Sequence, residues 1–165
     1  MLPDLFCKNL KLVICGTAPG ETSAQRQQYY AKSGNKFWLT LHLVGLTPVQ
    51  LFPAEYARLL DYGIGLTDLV KGKAGMDRIL KKGDFKSRDM VNKIMQYQPD
   101  CFCFNGKRAD EAFFNVDDPI TYGLQKGSIG KTHFFVAPST SGAANKWWNI
   151  DLWKELAAFV KERAA

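Results

Sequence analysis

The chain has 165 residues, 46% of them apolar and 13% aromatic, enough to bury one good core but not two, so a single domain over residues 1–165 is expected. Lysine and arginine number 22 against 16 acidic residues, and the resulting net charge of +6 permits a polyanionic partner without requiring one. No apolar stretch approaches the ~20 residues that span a bilayer, and the opening "MLPDLFCKNL" has neither a signal-peptide nor a transit-peptide pattern; a membrane class is excluded and a soluble, cytoplasmic protein is expected.

In chain order, "LKLVIC" (10–15) reads as a strand that empties into "GTAPGETSA" (16–24), a turn with two Gly, one Pro and a Ser/Thr cluster. "NKFWLTLHLVGL" (35–46) has Phe37, Leu41 and Val44 at helical spacing and stops at Gly45. "PAEYARLLDYG" (53–63) has Pro in its first turn and Gly at its end, a helix signature. "IGLTDLV" (64–70) is extended, and Lys71 to Lys86, rich in Lys and Gly, is a basic loop. "SRDMVNKIMQYQ" (87–98) is a helix capped by Ser87, "DCFCFN" (100–105) a strand, and "GKRADEAFF" (106–114) the helix after it. "THFFVA" (132–137) is another strand, and an amphipathic helix runs from Asn149 to the end.

Strands alternating with helices predict an α/β fold with a parallel sheet covered on both faces, whose ligands bind beyond the carboxyl ends of the strands. Three strand ends run into unusual loops: "GTAPGETSA", "NGKRAD" (105–110) and "PSTSGAANKWW" (138–148). Their convergence is the expected site. The first is not G-x-G-x-x-G and carries no phosphate-loop Lys, which argues against a dinucleotide or triphosphate. The last is rich in small alcohols, so its N–H groups and hydroxyls can approach a phosphate, unless it is simply a flexible turn. Cys7, Cys15, Cys101 and Cys103 never fall as C-x-x-C, and only His42 and His133 could join them, which argues against zinc or an iron–sulfur cluster. Cys101 and Cys103 share one strand face and read as reduced packing residues.

"CGTAPGETSA", "GNKFW", "DYGIGLTDLV", "YQPDCFCFNGK" and "VAPSTSG", in this order, resemble the mismatch-specific uracil and thymine DNA glycosylases of the uracil-DNA glycosylase superfamily, over about Lys11 to Lys161. The resemblance implies a three-layer α/β/α sandwich around a central, mostly parallel sheet, here of four strands. It also implies an enzyme of base-excision repair that flips uracil, or another deaminated base, out of double- or single-stranded DNA and hydrolyses its N-glycosidic bond, leaving an abasic site. No metal and no cofactor is implied; a monomer suits an enzyme that scans DNA, and a bacterial one would be nucleoid-associated.

By the same resemblance the backbone of Gly16, Thr17, Pro19 and Gly20 reads the base edge, and Tyr30 is the stacking aromatic. Ser23 crowds the 5-methyl of thymine, and Asp68 lies near the pocket. An acceptor-only carboxylate suits a base with an exocyclic amine better than the O4 of uracil, and a solvated strand-end Asp is the competing reading. Asn35 and Lys36 match the family, with Phe37 and Trp38 as core. Ser139 contacts a phosphate, and Thr140, Ser141, Gly142, Ala143 and Lys146 complete the expected DNA-binding loop.

Two positions depart from the pattern. Ala18 stands where most relatives carry Asn to position the attacking water, leaving Thr17, Glu21, Ser23 or backbone carbonyls as substitutes. Ser141, Gly142 and Ala143 are small where relatives insert a bulky wedge, leaving Lys146 or Trp147 for that role; Trp148 and Trp153 read as packing. Three functions follow: a monofunctional DNA glycosylase, a catalytically weak or inactive lesion binder on the same fold, or a small-molecule hydrolase using the same crevice. Against the last, neither His lies in a motif loop and no G-x-S-x-G elbow is present.

Overall fold

The computed structural model describes residues 2–70, 87–114, 120–142 and 148–164. The basic stretch from Lys71 to Lys86, together with Ala143, Lys146 and Trp147, lies outside the described residues.

Five strands form one sheet: β1 (Leu12–Gly16), β2 (Ile64–Asp68), β3 (Cys101–Asn105), β4 (Gly123–Ile129) and β5 (Thr132–Ala137), in the order β2-β1-β3-β5-β4. The first three contacts, β1 with β2, β1 with β3 and β3 with β5, are parallel, and β4 pairs antiparallel with β5 at the edge. The sheet therefore has five strands, not the four expected. The extra one is "GLQKGSI", a mostly solvent-facing edge with a register shift between Leu124 and Ser128, so it lacks the apolar alternation that marks a strand in sequence.

The helices are α1 (Glu21–Arg26), α2 (Phe37–Leu43), α3 (Ser87–Tyr97), α4 (Lys107–Phe114) and α5 (Ile150–Ala164). The Pro53–Tyr62 segment is helical as its Pro and Gly ends suggest, but as a 3₁₀ helix closing on Gly63 at φ 74°. The short α1 carries no long apolar stripe and was not anticipated.

The pleat sorts the core into two sides. Leu12, Ile14, Cys101, Cys103, Phe135 and Ala137 point to one face, where Trp38 and Leu41 of α2, Leu59 and the Trp153, Leu156 and Val160 stripe of α5 cover them. Val13, Cys15, Phe102, Phe104, Phe134 and Val136 point to the other, against Met90 and Ile94 of α3 and Ala109 and Phe113 of α4. The result is three layers, α/β/α. Cys101 and Cys103 do share a face and are buried free thiols. Burial pushes the Cys101 thiol up to about 12, which keeps it protonated and inert.

The N-terminal segment closes the outer edge of β2. Leu5 exchanges backbone hydrogen bonds of 2.8 and 2.9 Å with Leu66. The Asp4 carboxylate accepts from the Thr67 hydroxyl at 2.8 Å and pairs with Lys93 on α3.

Candidate functional site

The order β2-β1-β3 means that the chain leaves β1 toward one side of the sheet and reaches β3 on the other, so the carboxyl ends of β1 and β3 form a topological switch point. Beyond those ends, between the diverging connections, is where this strand order makes a crevice. Gly16 ends β1, Asp68 ends β2 directly beside it, Asn105 ends β3, and the 138–142 segment follows β5.

The turn after β1 is oriented by its carbonyls. Leu69 N–H donates to the Gly16 oxygen at 3.0 Å and Val70 N–H to the Thr17 oxygen at 2.7 Å. No peptide bond among the described residues is cis, and in a trans peptide the N–H opposes the C=O. The N–H groups of Thr17 and Ala18 are therefore turned away from the β2 exit, toward the β3 side. Gly16 is required by a close approach: a Cβ there would lie 2.8 Å from Asp68 Oδ1 and 3.3 Å from the Tyr30 hydroxyl. Gly20 meets no such constraint, with nothing within 4 Å of an added Cβ and φ at −67°.

Tyr30 reaches the crevice by an unusual route. Its φ of 51° is left-handed, as is that of Gln27 at 53°, a conformation that non-glycine residues adopt only when their surroundings enforce it. Ser23 supplies the enforcement. Buried on α1, it accepts the Ala31 N–H on its hydroxyl at 2.9 Å and the Gln28 N–H on its carbonyl at 3.1 Å, pinning both ends of the turn. The Tyr30 ring stacks on the buried Phe37 ring at 3.9 Å and 18°, which fixes its plane. Burial, reinforced by the Asp68 carboxylate, pushes the Tyr30 phenol well up, so it remains a neutral hydrogen-bond donor. Asp68 itself is 3% exposed, so it is not a solvated strand-end residue.

The segment after β5 is held from three directions. Trp153 of α5 donates its Nε1–H to the Pro138 oxygen at 3.0 Å. Asn105 and Thr140 exchange two hydrogen bonds, of 3.0 and 3.1 Å. Lys36 N–H donates to the Thr140 oxygen at 2.9 Å, joining this segment to the one that precedes α2. Ser139 Oγ accepts the Ser141 N–H at 3.2 Å, a local turn that leaves both residues half-buried. A Cβ on Gly142 would lie 3.1 Å from the Gly34 oxygen, so the small residue at 142 is explained by two backbones packing together.

The expected site residues thus divide. Gly16, Tyr30 and Asp68 stand in contact, and Lys36, Ser139, Thr140, Ser141 and Gly142 are joined at the far wall. Thr140 is fully buried with its hydroxyl on Asn105, so its side chain holds the loop and is closed to solvent. Asn35 accepts the Phe37 N–H at 3.0 Å and so shapes the start of α2. The Lys36 ammonium sits 4.6 Å from the ring centre of the half-buried Trp148. Glu21 is exposed at the start of α1, Ala18 is half-buried and brings no polar side chain, and the oxygen of Ser23 is occupied by Ala31. Sequence reasoning assigned no role to Asn105 or to the Trp153 indole; the one available signal was that "NGKRAD" follows a strand.

A search of family models matches residues 3–161 to the uracil DNA glycosylase superfamily. Among solved structures, the solution NMR structure of a "putative Uracil DNA glycosylase" from Methanosarcina acetivorans is similar, with a TM-score of 0.71 at 21% identity, over 97% of this chain and 96% of that one. At that identity the second likeness speaks for the fold. The family match spans all three strand-end loops of the crevice, and the chain belongs to the uracil DNA glycosylase superfamily.

Proposed function

We propose that the chain is a monofunctional DNA glycosylase of the mismatch-specific type, which rotates uracil or another deaminated base out of DNA into the β1/β3 crevice and hydrolyses its N-glycosidic bond. The observation that carries this reading is the contact between Gly16, Tyr30 and Asp68 at the switch point of a fold whose family acts on this bond. In this reading a base lies on the face of the Tyr30 ring opposite Phe37 and completes a stack. Bond breaking leaves positive charge on the sugar and the electron pair on the departing base. In this reading backbone N–H groups of the turn after β1 stabilise the negative charge that collects there. Water adds to the anomeric carbon, its proton leaves to the base or solvent, and an abasic site remains. Asp68 adjoins the base in this reading: a carboxylate there accepts from a ring N–H of the deaminated base and is repelled by a carbonyl oxygen set in the same place. Ser139, Ser141 and Lys36 are the residues assigned to the sugar–phosphate backbone of the flipped nucleotide.

Ala18 favours a second reading, a slow or inactive lesion binder, because alanine brings no polar atom to its position and the Ser23 hydroxyl already holds the Ala31 N–H. The two are separated by incubating excess protein with duplexes carrying a deaminated base and measuring free base by chromatography alongside lesion-selective binding. Base release from DNA but not from the corresponding nucleoside supports the glycosylase. Binding without release supports the binder, and release from the nucleoside alone contradicts both.

A further inference from the structure

Asn105 ends β3 at the switch point, yet the reaction as proposed does not use it. Its Nδ2 donates to Thr140 Oγ1 at 3.0 Å and its Oδ1 accepts from the Thr140 N–H at 3.1 Å. Two opposed bonds to one residue fix both distance and rotation, which a single bond does not. Thr140 is fully buried, so water does not substitute for either partner. The base of the asparagine is fixed as well: Gly106, at φ 103°, donates its N–H to the Ala137 oxygen at 2.8 Å, and Asn105 pairs with Ala137 in the β3/β5 ladder. The same Thr140 accepts the Lys36 N–H on its backbone oxygen at 2.9 Å, and Phe37, the next residue, carries the Tyr30 ring stacked at 3.9 Å. Thr140 is therefore held by Asn105 on one side and by the segment on which Tyr30 stacks on the other.

We propose that Asn105 is a positioning residue that sets the 138–142 segment at a fixed distance from the Tyr30 platform, so that one nucleotide can be stacked by its base and held by its phosphate at once. Its effect on DNA rests on the glycosylase or lesion-binder reading; its hold on the segment does not. Asn105 is expected to act on how tightly the nucleotide is gripped and not on the bond-breaking step.

The test compares the wild-type chain with Asn105→Ala and Asn105→Asp by amide hydrogen exchange at Thr140, and by single-turnover excision and binding on a lesion duplex across salt concentrations. In Asn105→Ala, the Thr140 amide is expected to exchange at least about tenfold faster. The enzyme concentration for half-maximal excision should rise by about tenfold with the maximal rate within about threefold of wild type, and the salt slope of binding should fall by about one phosphate. Asn105→Asp keeps the acceptor for the Thr140 N–H, so its exchange is expected to stay slow. If Asn105→Ala does not fold, Thr140→Val removes the hydroxyl partner alone and should weaken binding in the same direction. Unchanged exchange in Asn105→Ala overturns the proposal. So does faster exchange with unchanged affinity and salt slope, which would leave Asn105 a packing residue only. A wild-type chain that excises nothing would defeat the glycosylase reading, while exchange and duplex binding would still decide the role of Asn105.

Discussion

Tyr30 concentrates more of the account than any other side chain. It is held left-handed by the Ser23 clamp, its ring backed by Phe37 and its hydroxyl buried beside Asp68. A ring stacked on a base contributes about 1–3 kcal/mol, so Tyr30→Ala should weaken lesion binding by about 5- to 150-fold. Tyr30→Phe keeps the platform and should retain most of that affinity. Titration of both variants against a fluorescent lesion duplex checks this, and an unaffected Tyr30→Ala would remove the platform from the site. Asp110, at the first turn of α4, is a different case. It is 2% exposed, its Oδ1 has no hydrogen-bond partner among the described residues, and burial with Glu111 nearby pushes its carboxyl up to about 6 from 3.8. A folded-state value above the unfolded one means that the native state binds the proton more tightly, so this group costs nothing below about pH 4 and progressively destabilises as pH rises to about 6. Asp110→Asn should therefore gain thermal stability over wild type across that interval, by a few degrees at pH 7, with a constant difference above it. A difference in Tm that does not vary between pH 4 and pH 7 would contradict the assignment.

Among the elements, the edge strands show what a sequence conceals. β1, β3 and β5 are buried on both faces and read as apolar runs, and their order of alternation with α3, α4 and α5 gave the parallel sheet directly. β4 has one buried residue in seven, so its pairing comes from the β5 backbone and not from its side chains. The turn glycines were legible as a class but not individually, since Gly16 is needed for contact with Asp68 and Gly20 is not. Asn105 and Trp153 escaped for a related reason: their roles are bonds to residues 35 and 15 positions away, which no local pattern encodes. The N-terminal segment gives a prediction at this scale. A Cβ on Gly65 would lie 2.3 Å from the Leu5 oxygen and 2.7 Å from Leu10 Cδ1, both on the buried edge of β2. Gly65→Ala should break the Leu5–Leu66 bridge, cost about 1–3 kcal/mol in urea unfolding and expose the first residues to limited proteolysis. An unchanged unfolding midpoint would show that the segment gives way freely.

At the scale of the molecule, the net charge of +6 and the crevice work in different ways. The charge attracts any polyanion, so binding to undamaged duplex should fall by about tenfold or more between 50 and 200 mM salt, corresponding to about two phosphates neutralised. Preference for a lesion should change far less across the same range, because the proposed stacking on Tyr30 and bonding at Asp68 are short-range. Fluorescence anisotropy on matched lesion and undamaged duplexes separates the two, and a lesion preference that disappears with salt would place recognition in the charge. The proposed chemistry turns on Ala18, which brings no polar side chain to the turn after β1. The most direct measurement is single-turnover incubation of wild type and Ala18→Asn in excess over labelled oligonucleotides with uracil opposite guanine, opposite adenine and in single strands, followed by alkali to cut abasic sites. The account predicts cleavage by wild type, unaffected by chelator, and a rate raised by about tenfold or more in Ala18→Asn, within the range that a positioned water-activating group supplies. No cleavage by either protein, despite tight binding to the same oligonucleotides, would contradict it and leave a lesion binder on a glycosylase fold.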